Sequence, residues 1–147
     1  MRGLADFEGY RTKWLAENPA KTEDDFEKAS NVFEEMPPIS GAIDAVHKLA
    51  KYFDVYICST VSWKNTSGAS GKMMWIKKYF GEGPENPFYK KVVLTHNKHL
   101  NIGDFLIDDR AKNGASEFSG EWIQFGSEKF PDWNSVIEYL KNNYKKP

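Results

Sequence analysis

Four short apolar runs separated by helix-patterned stretches constrain this chain more than any other feature. Residues 54–58, 91–95, 105–107 and 122–125 are rich in β-branched and aromatic side chains and short enough to be buried strands. Between them, residues 40–51 place Ala42, Ile43, Val46, Leu49 and Ala50 on one helical face. Residues 72–80 read as a helix closed by Gly81, and residues 133–142 as a final helix. Strands alternating with helices predict an α/β fold with a parallel sheet. Ligand groups in such sheets gather at the carboxyl ends of strands. Those ends carry Ser59, Thr60, Asp108 and Asp109.

The amino-terminal part follows another pattern. Leu4, Phe7, Trp14 and Leu15 recur at helical spacing, Asn18-Pro19 breaks the run, and a second helix is predicted over residues 23–34. Met36-Pro37-Pro38 ends this small helical subregion, while residues 61–71, rich in Ser, Gly and Asn, are predicted as loop. A length of 147 residues suits one domain with its own core. The net charge of −1 gives no global attraction to nucleic acid or an anionic membrane. No apolar run approaches a membrane span, and no signal-peptide core follows Met1-Arg2-Gly3, so a cytoplasmic protein is expected, with neither nucleic acid nor membrane as partner. Cys58 is the only cysteine, which excludes an internal disulfide and predicts a buried structural thiol.

Three features at the predicted strand ends carry chemistry. A hydroxyl pair such as Ser59-Thr60, where a buried strand opens into a loop, can donate to a phosphate, although Ser and Thr also end many strands as turn formers. Adjacent carboxylates such as Asp108-Asp109 repel unless a cation or basic group neutralises them. Mg2+ fits that pair, and a helix-capping Asp pair is the alternative. Lys98, ten positions before Asp108, could supply positive charge to both phosphate and carboxylates. His96 and His99 flank it and read as loop histidines rather than metal ligands.

Ser59-Thr60, Lys98 and Asp108-Asp109, each after a strand and in that order, resemble motifs two, three and four of the haloacid-dehalogenase-type (HAD) phosphatases. Longer segments resemble one group of them, the 5'(3')-deoxyribonucleotidase family, over residues 4–140. They include Asp54-Val-Tyr-Ile-Cys-Ser-Thr60, Trp63-Lys-Asn65, Lys72-Met-Met-Trp-Ile-Lys-Lys-Tyr-Phe-Gly81, Gly103-Asp-Phe-Leu-Ile-Asp-Asp-Arg110 and Phe130-Pro-Asp-Trp133. The resemblance implies a single HAD-like α/β domain over residues 1–147, with residues 4–36 as a reduced helical cap and residues 37–147 as the core, a Rossmann-type parallel sheet flanked by helices. It also implies Mg2+ dependence and hydrolysis of nucleoside monophosphates, preferably deoxyribonucleotides.

The same resemblance implies residue roles. Ser59, Thr60 and Lys98 would bind the phosphate, with Lys72 as a further candidate, and Lys98 would be the catalytic cation that offsets charge building on the phosphoryl oxygens. Asp109 would ligate Mg2+, with Asp108 supporting it directly or through water. Phe7 matches the family aromatic that packs on the nucleobase, and Trp63 would close over the same pocket. In the family the first strand ends in Asp-x-Asp-Gly-Val-Leu-x-Asp-Phe, whose first Asp attacks phosphorus and whose second acts as general acid, then base. Leu4-Ala5-Asp6-Phe7 aligns with the end of that pattern, which puts both aspartates at or before Met1. The first strand, central in the family sheet, is therefore expected to be missing. Its place would be partly filled by residues 1–7, filled by another chain as in a homodimer, or closed by rearrangement. A phosphatase of other small phosphate esters, or a non-catalytic module binding phosphate, nucleotide or a partner protein, are the competing expectations.

Overall fold

A computed structural model describes Met1 and residues 3–143. In chain order the elements are α1 (Phe7–Glu17), α2 (Glu23–Lys28), α3 (Val32–Glu35), α4 (Ala42–Leu49), β1 (Ile57–Ser59), α5 (Ser67–Phe80), β2 (Val92–Leu94), β3 (Phe105–Asp108), β4 (Glu121–Gln124) and α6 (Trp133–Asn143). Two 3-10 turns, Lys98–Leu100 and Ala115–Glu117, lie either side of β3. The fold is mixed α/β, with parallel strands flanked by helices, as the alternation predicts. Among the described residues no helix is long and apolar enough to cross a membrane.

Local chemistry sets the element boundaries. Asp6 caps α1 by accepting from the Gly9 N–H at 3.0 Å, and Thr22 with Asp25 forms a reciprocal capping box on α2. The single helix predicted over residues 23–34 is broken into two, because Ala29 is extended and Asn31 adopts a left-handed φ of 64°. Asn is among the few residues that visit that region at low cost. Helix α5 starts at Ser67 rather than at residue 72, as Asn65 Oδ1 accepts from the Ser67 N–H (3.0 Å) and hydroxyl (2.6 Å). That bond supplies a start signal which the Ser- and Gly-rich composition conceals. The first predicted strand also moves: residues 57–59 pair, whereas Asp54 forms an ion pair with Lys91.

The core sits mainly in the helical layers. Trp75, Phe26, Met36, Ile76, Ile123 and Val136 are fully buried, and the Trp75 indole N–H donates to the Met36 carbonyl at 2.7 Å. Phe7 and Trp14 pack edge-on to Phe26, so α1 and α2 share one aromatic cluster.

The strands form two separate two-stranded sheets, β1–β2 and β3–β4, both parallel. Ile57 N–H donates to Lys91 (3.0 Å) and Thr95 N–H to Ser59 (2.8 Å), so the peptide groups of residues 57 and 59 face β2 and those of Cys58 face away. Likewise Glu121 N–H donates to Asp104 (2.8 Å) and Phe125 N–H to Asp108 (3.1 Å), which turns the peptide groups of Phe105 and Ile107 away from β4. No strand of the described residues pairs with either outward edge. Met1 and residues 3–5 do not form a strand there: Leu4 and Ala5 N–H both donate back to the Met1 carbonyl, and Ala5 makes an isolated antiparallel bridge with Pro38. The strands are correspondingly open. All three residues of β2 are half-buried, and Cys58, expected as a buried thiol, is half-buried with its sulfur 3.7 Å from Asn101 Nδ2.

Candidate functional site

The carboxyl ends of β1 and β3 open into one cavity of about 190 Å3. Ser59, Thr60, Lys72, Lys98, Asp108 and Asp109 line it together with Phe7, Phe26, Phe33 and Met36. Each charged group arrives on a different element. Lys98 begins the 3-10 turn after β2 and is anchored by its own N–H to the Asn113 carbonyl at 2.8 Å. Gly114 allows that turn to lie so close: its φ is +80°, and a Cβ there would sit 2.2 Å from His99 Nδ1.

Lys98 Nζ forms a direct ion pair with Asp108, and the two side chains are only 8% and 11% exposed. The other Asp108 oxygen accepts from the Arg110 N–H at 3.2 Å. Burial pushes the Asp108 carboxyl up, but the Lys98 hydrogen bond and charge, the Arg110 N–H and the Met1 amine outweigh it and hold it below its ordinary value. Asp109, next along, has Oδ1 3.9 Å from Arg110 Nε. The two neighbouring carboxylates therefore differ: Asp108 is committed to Lys98 and a backbone donor, and Asp109 Oδ1 is buried and accepts no hydrogen bond among the described residues.

Lys72 reaches in from α5, donating from Nζ to Ser59 Oγ at 3.0 Å and to the Thr60 carbonyl, with Nζ 4.6 Å from the centre of the Phe33 ring. Thr60 Oγ1 is buried and has no hydrogen-bond partner among the described residues. A buried hydroxyl left so is costly unless something occupies the cavity. The Met1 amine lies in the same cavity and is lowered to about 5, by burial first and then by Lys72 and Lys98, against the opposing pull of Asp108 and Asp109. Two lysine cations thus converge on the cavity beside the Asp pair, an arrangement that can meet an anion.

The structure thus brings together Ser59, Thr60, Lys72, Lys98, Asp108 and Asp109, with Phe7 on the opposite wall. Phe7 is 7% exposed and shares its ring contacts with Phe26 and Phe33. Trp63 is not part of the lining; it is 89% exposed and meets the His96 ring at 6.1 Å. Sequence reasoning missed Phe33, Arg110 and Asn113 as lining residues. It also missed Asn65, whose Nδ2 donates to the Glu27 and Ala29 carbonyls at 2.9 and 3.1 Å, tying the β1–α5 loop to the end of α2. Arg110 and Asn113 flank the Asp pair and could have been picked by proximity; Phe33 and Asn65 carry no such signal.

The donor set suits a hard divalent ion only in part. Mg2+ commonly takes one or two carboxylates and completes its shell with water and phosphate oxygens. Asp109, with Asp108 beside it, meets that requirement. Among the described residues no group of three or more His, Cys, Asp or Glu residues is arranged to hold an ion.

Residues 11–136 match the family described as 5' nucleotidase, deoxy (pyrimidine), cytosolic type C protein. A putative 5'(3')-deoxyribonucleotidase of Vibrio phage KVP40 is 46% identical over 120 residues, covering 82% of this chain and 68% of the phage protein. The human cytosolic-type 5'(3')-deoxyribonucleotidase is 30% identical over 75% of this chain, and the human mitochondrial one 34% identical over 65%. The chain spans less than half of either human protein, 48% and 41%. By the family match and the phage relative, the chain belongs to this deoxy (pyrimidine) 5' nucleotidase family of phosphoric monoester hydrolases.

Proposed function

We propose that this chain forms the phosphate- and metal-binding part of a phosphatase acting on deoxyribonucleoside monophosphates. The observation that carries the reading is one cavity that brings Lys72, Lys98, Ser59 and the unpartnered Thr60 hydroxyl together with the rings of Phe7 and Phe33, the latter 4.6 Å from Lys72 Nζ. A nucleotide combines the same two chemistries, a dianionic phosphate and a flat apolar-faced base. Names of the relatives support the substrate class.

In this reading Thr60 Oγ1 donates to a phosphoryl oxygen, and Lys72 and Lys98 place two cations beside it. Lys98 also fixes Asp108, so that the Asp pair is held at the mouth of β3 without mutual repulsion. Asp109, supported by Asp108, would hold Mg2+, which when bound supplies further positive charge at the phosphate. By the resemblance both catalytic aspartates would fall at or before Met1; in this reading residues 1–147 contribute binding and charge stabilisation, and a carboxylate from such a segment would supply turnover.

The test uses two proteins, residues 1–147 and the same residues preceded by a strand ending in Asp-x-Asp-Gly. Calorimetry with deoxyuridine monophosphate and Mg2+ is expected to show binding by both, and phosphate release is expected from the longer one only. Lys98→Met should weaken binding in each. Absence of binding by both proteins overturns the reading. Faster hydrolysis of sugar phosphates than of deoxynucleotides would move the substrate class. The second reading, a binding module without turnover, is favoured by the intact Lys98–Asp108 pair beside the free Thr60 hydroxyl, and phosphate release by either protein excludes it.

A further inference from the structure

Residues 27–36 run from the last turn of α2, through the left-handed Asn31, to the residue that ends α3. Side-chain donors from α5 and its approach hold this segment at both ends. Asn65 Nδ2, just before α5, donates to the Glu27 and Ala29 carbonyls at 2.9 and 3.1 Å, and the Trp75 indole N–H donates to the Met36 carbonyl at 2.7 Å. Between those ties the segment lies against α5 itself. A Cβ on Gly71 would be 3.4 Å from Phe33 Cβ, and one on Gly68 would be 3.7 Å from the Phe33 ring, so the two glycines let α3 come up to contact distance. The same approach brings the Phe33 ring to 4.6 Å from Nζ of Lys72, the lysine that donates to Ser59 Oγ.

We propose that Asn65 is a positioning residue for nucleotide selection: through its two bonds to the end of α2 it holds Phe33 where a nucleobase meets the ring beside the phosphate-binding groups. Asn65 does not itself line the cavity. It is 6% exposed, and both halves of its amide are used. Nδ2 serves two carbonyls that the end of α2 leaves without a helical partner, and Oδ1 accepts from the Ser67 N–H and hydroxyl at the start of α5. Only a side chain that donates at one atom and accepts at the other fits both neighbours, which an aspartate of the same size cannot do.

The phosphate-suited groups do not depend on this tie. Ser59 ends β1 and is paired with β2, while Lys98 is fixed by the Asn113 carbonyl and by Asp108. Phe33 is held differently. It sits on α3, a helix of 4 residues, which is too short to hold its own shape, so the place of the ring is set by the ties on either side of it. Loosening the bond from Asn65 to α2 therefore shifts the ring and leaves the phosphate groups where they are. The selection role rests on reading this cavity as a nucleotide site, as under the proposed function. The two ties stand without that reading.

The experiment uses residues 1–147 and measures, by calorimetry with Mg2+, the affinities for deoxyuridine monophosphate and for inorganic phosphate. Asn65→Asp keeps an acceptor for Ser67 and removes the donor to α2. It is expected to weaken deoxyuridine monophosphate roughly tenfold, the order of the cost of re-ordering a loosened ring and its segment, and to change phosphate affinity by less than about twofold. Amide exchange at residues 32–35 is expected to speed up. Because Asn65→Asp also sets a charge against two carbonyls, the neutral Asn65→Ser, whose hydroxyl can still cap the turn to Ser67, is read beside it with the same expectation. Phe33→Leu is expected to lose the same preference, and Asn65→Asp added to it to cost little more, since one residue acts through the other. Ser67→Ala leaves the bonds to α2 in place and is expected to keep the preference. Equal weakening of both ligands, or of neither, by the Asn65 variants is the mark of a merely structural role and overturns the proposal, and so do additive losses in the double variant. If the unaltered chain binds deoxyuridine monophosphate no better than phosphate, the nucleotide reading fails and the selection role with it. A preference that survives both Asn65 variants removes the role of Asn65 alone.

Discussion

The helical layers and the strands of this molecule are packed to different standards. Phe26, Trp75 and Val136 in the helices are completely inaccessible, whereas all of β2 and half or more of the residues of β3 are only half-buried. In a parallel α/β fold the order is normally reversed, because helices cover both faces of the sheet and the strands become its most buried part. The difference locates the weakness: helices can bury an apolar face against one another, but a strand needs a neighbour on each edge, and β1 and β3 each have one. Stability therefore resides in the shell, and the open edges coincide with the candidate site.

The comparison can be broken most directly at Trp75. Trp75→Ala removes the largest fully buried side chain and its bond to the Met36 carbonyl, and is expected to cost about 4 kcal/mol in urea unfolding. A loss of under about 1 kcal/mol would show that the shell is not the stabilising region. On the strand side, Lys98→Met strands the nearly buried Asp108 carboxylate and is expected to cost about 3 kcal/mol. Replacing both partners by apolar residues should recover part of that loss, because the cost lies in the uncompensated charge.

Asn65 joins the two regions, being 6% exposed with its side chain bonded to Glu27, Ala29 and Ser67. Asn65→Ala is expected to cost about 2 kcal/mol, with faster hydrogen exchange in α2 and at the start of α5 rather than in β3 and β4.

The smallest effects separate the regions by pH. Asp108 is depressed in the folded state, so its contribution is present above the ordinary Asp value of about 4 and is lost as pH falls through the folded value. Tyr10 in α1 is raised to about 12 by burial and by its hydrogen bond to Glu35, so its contribution is intact below about pH 10 and is lost as pH rises toward 12. Asp108→Asn should flatten the acid limb of a stability profile, and Tyr10→Phe the alkaline limb. The reverse assignment would contradict both electrostatic arguments.

The parts of this fold that were legible in the sequence are those set by local pattern. The strand ends at Ser59 and Asp108, the helix Ala42–Leu49 and the closing helix from Trp133 follow from apolar periodicity and from the residues that interrupt it. What was not legible depends on partners distant in the chain. Helix α5 begins five residues early where Asn65, itself held by the end of α2, accepts from the N–H and hydroxyl of Ser67. The break at Asn31 is a left-handed residue in an otherwise helical composition. The site shows the same division: Lys98 and the Asp pair were readable from spacing to strand ends, but only the fold shows that Lys72 reaches Ser59 while Trp63 stands outside the cavity.

The two passages of chain between cap and core lie side by side, joined by the Ala5–Pro38 bridge, by Asp6 N–H to the Pro37 carbonyl at 2.8 Å and by Ile39 N–H to the Leu4 carbonyl at 2.7 Å. Paired in this way, they tie the start of α1 to the approach to α4 at one place. A second seam lies where Asn65 and the Lys64–Asp24 ion pair join the loop after β1 to α2, so the first helices are moored to the rest of the chain at two separate points.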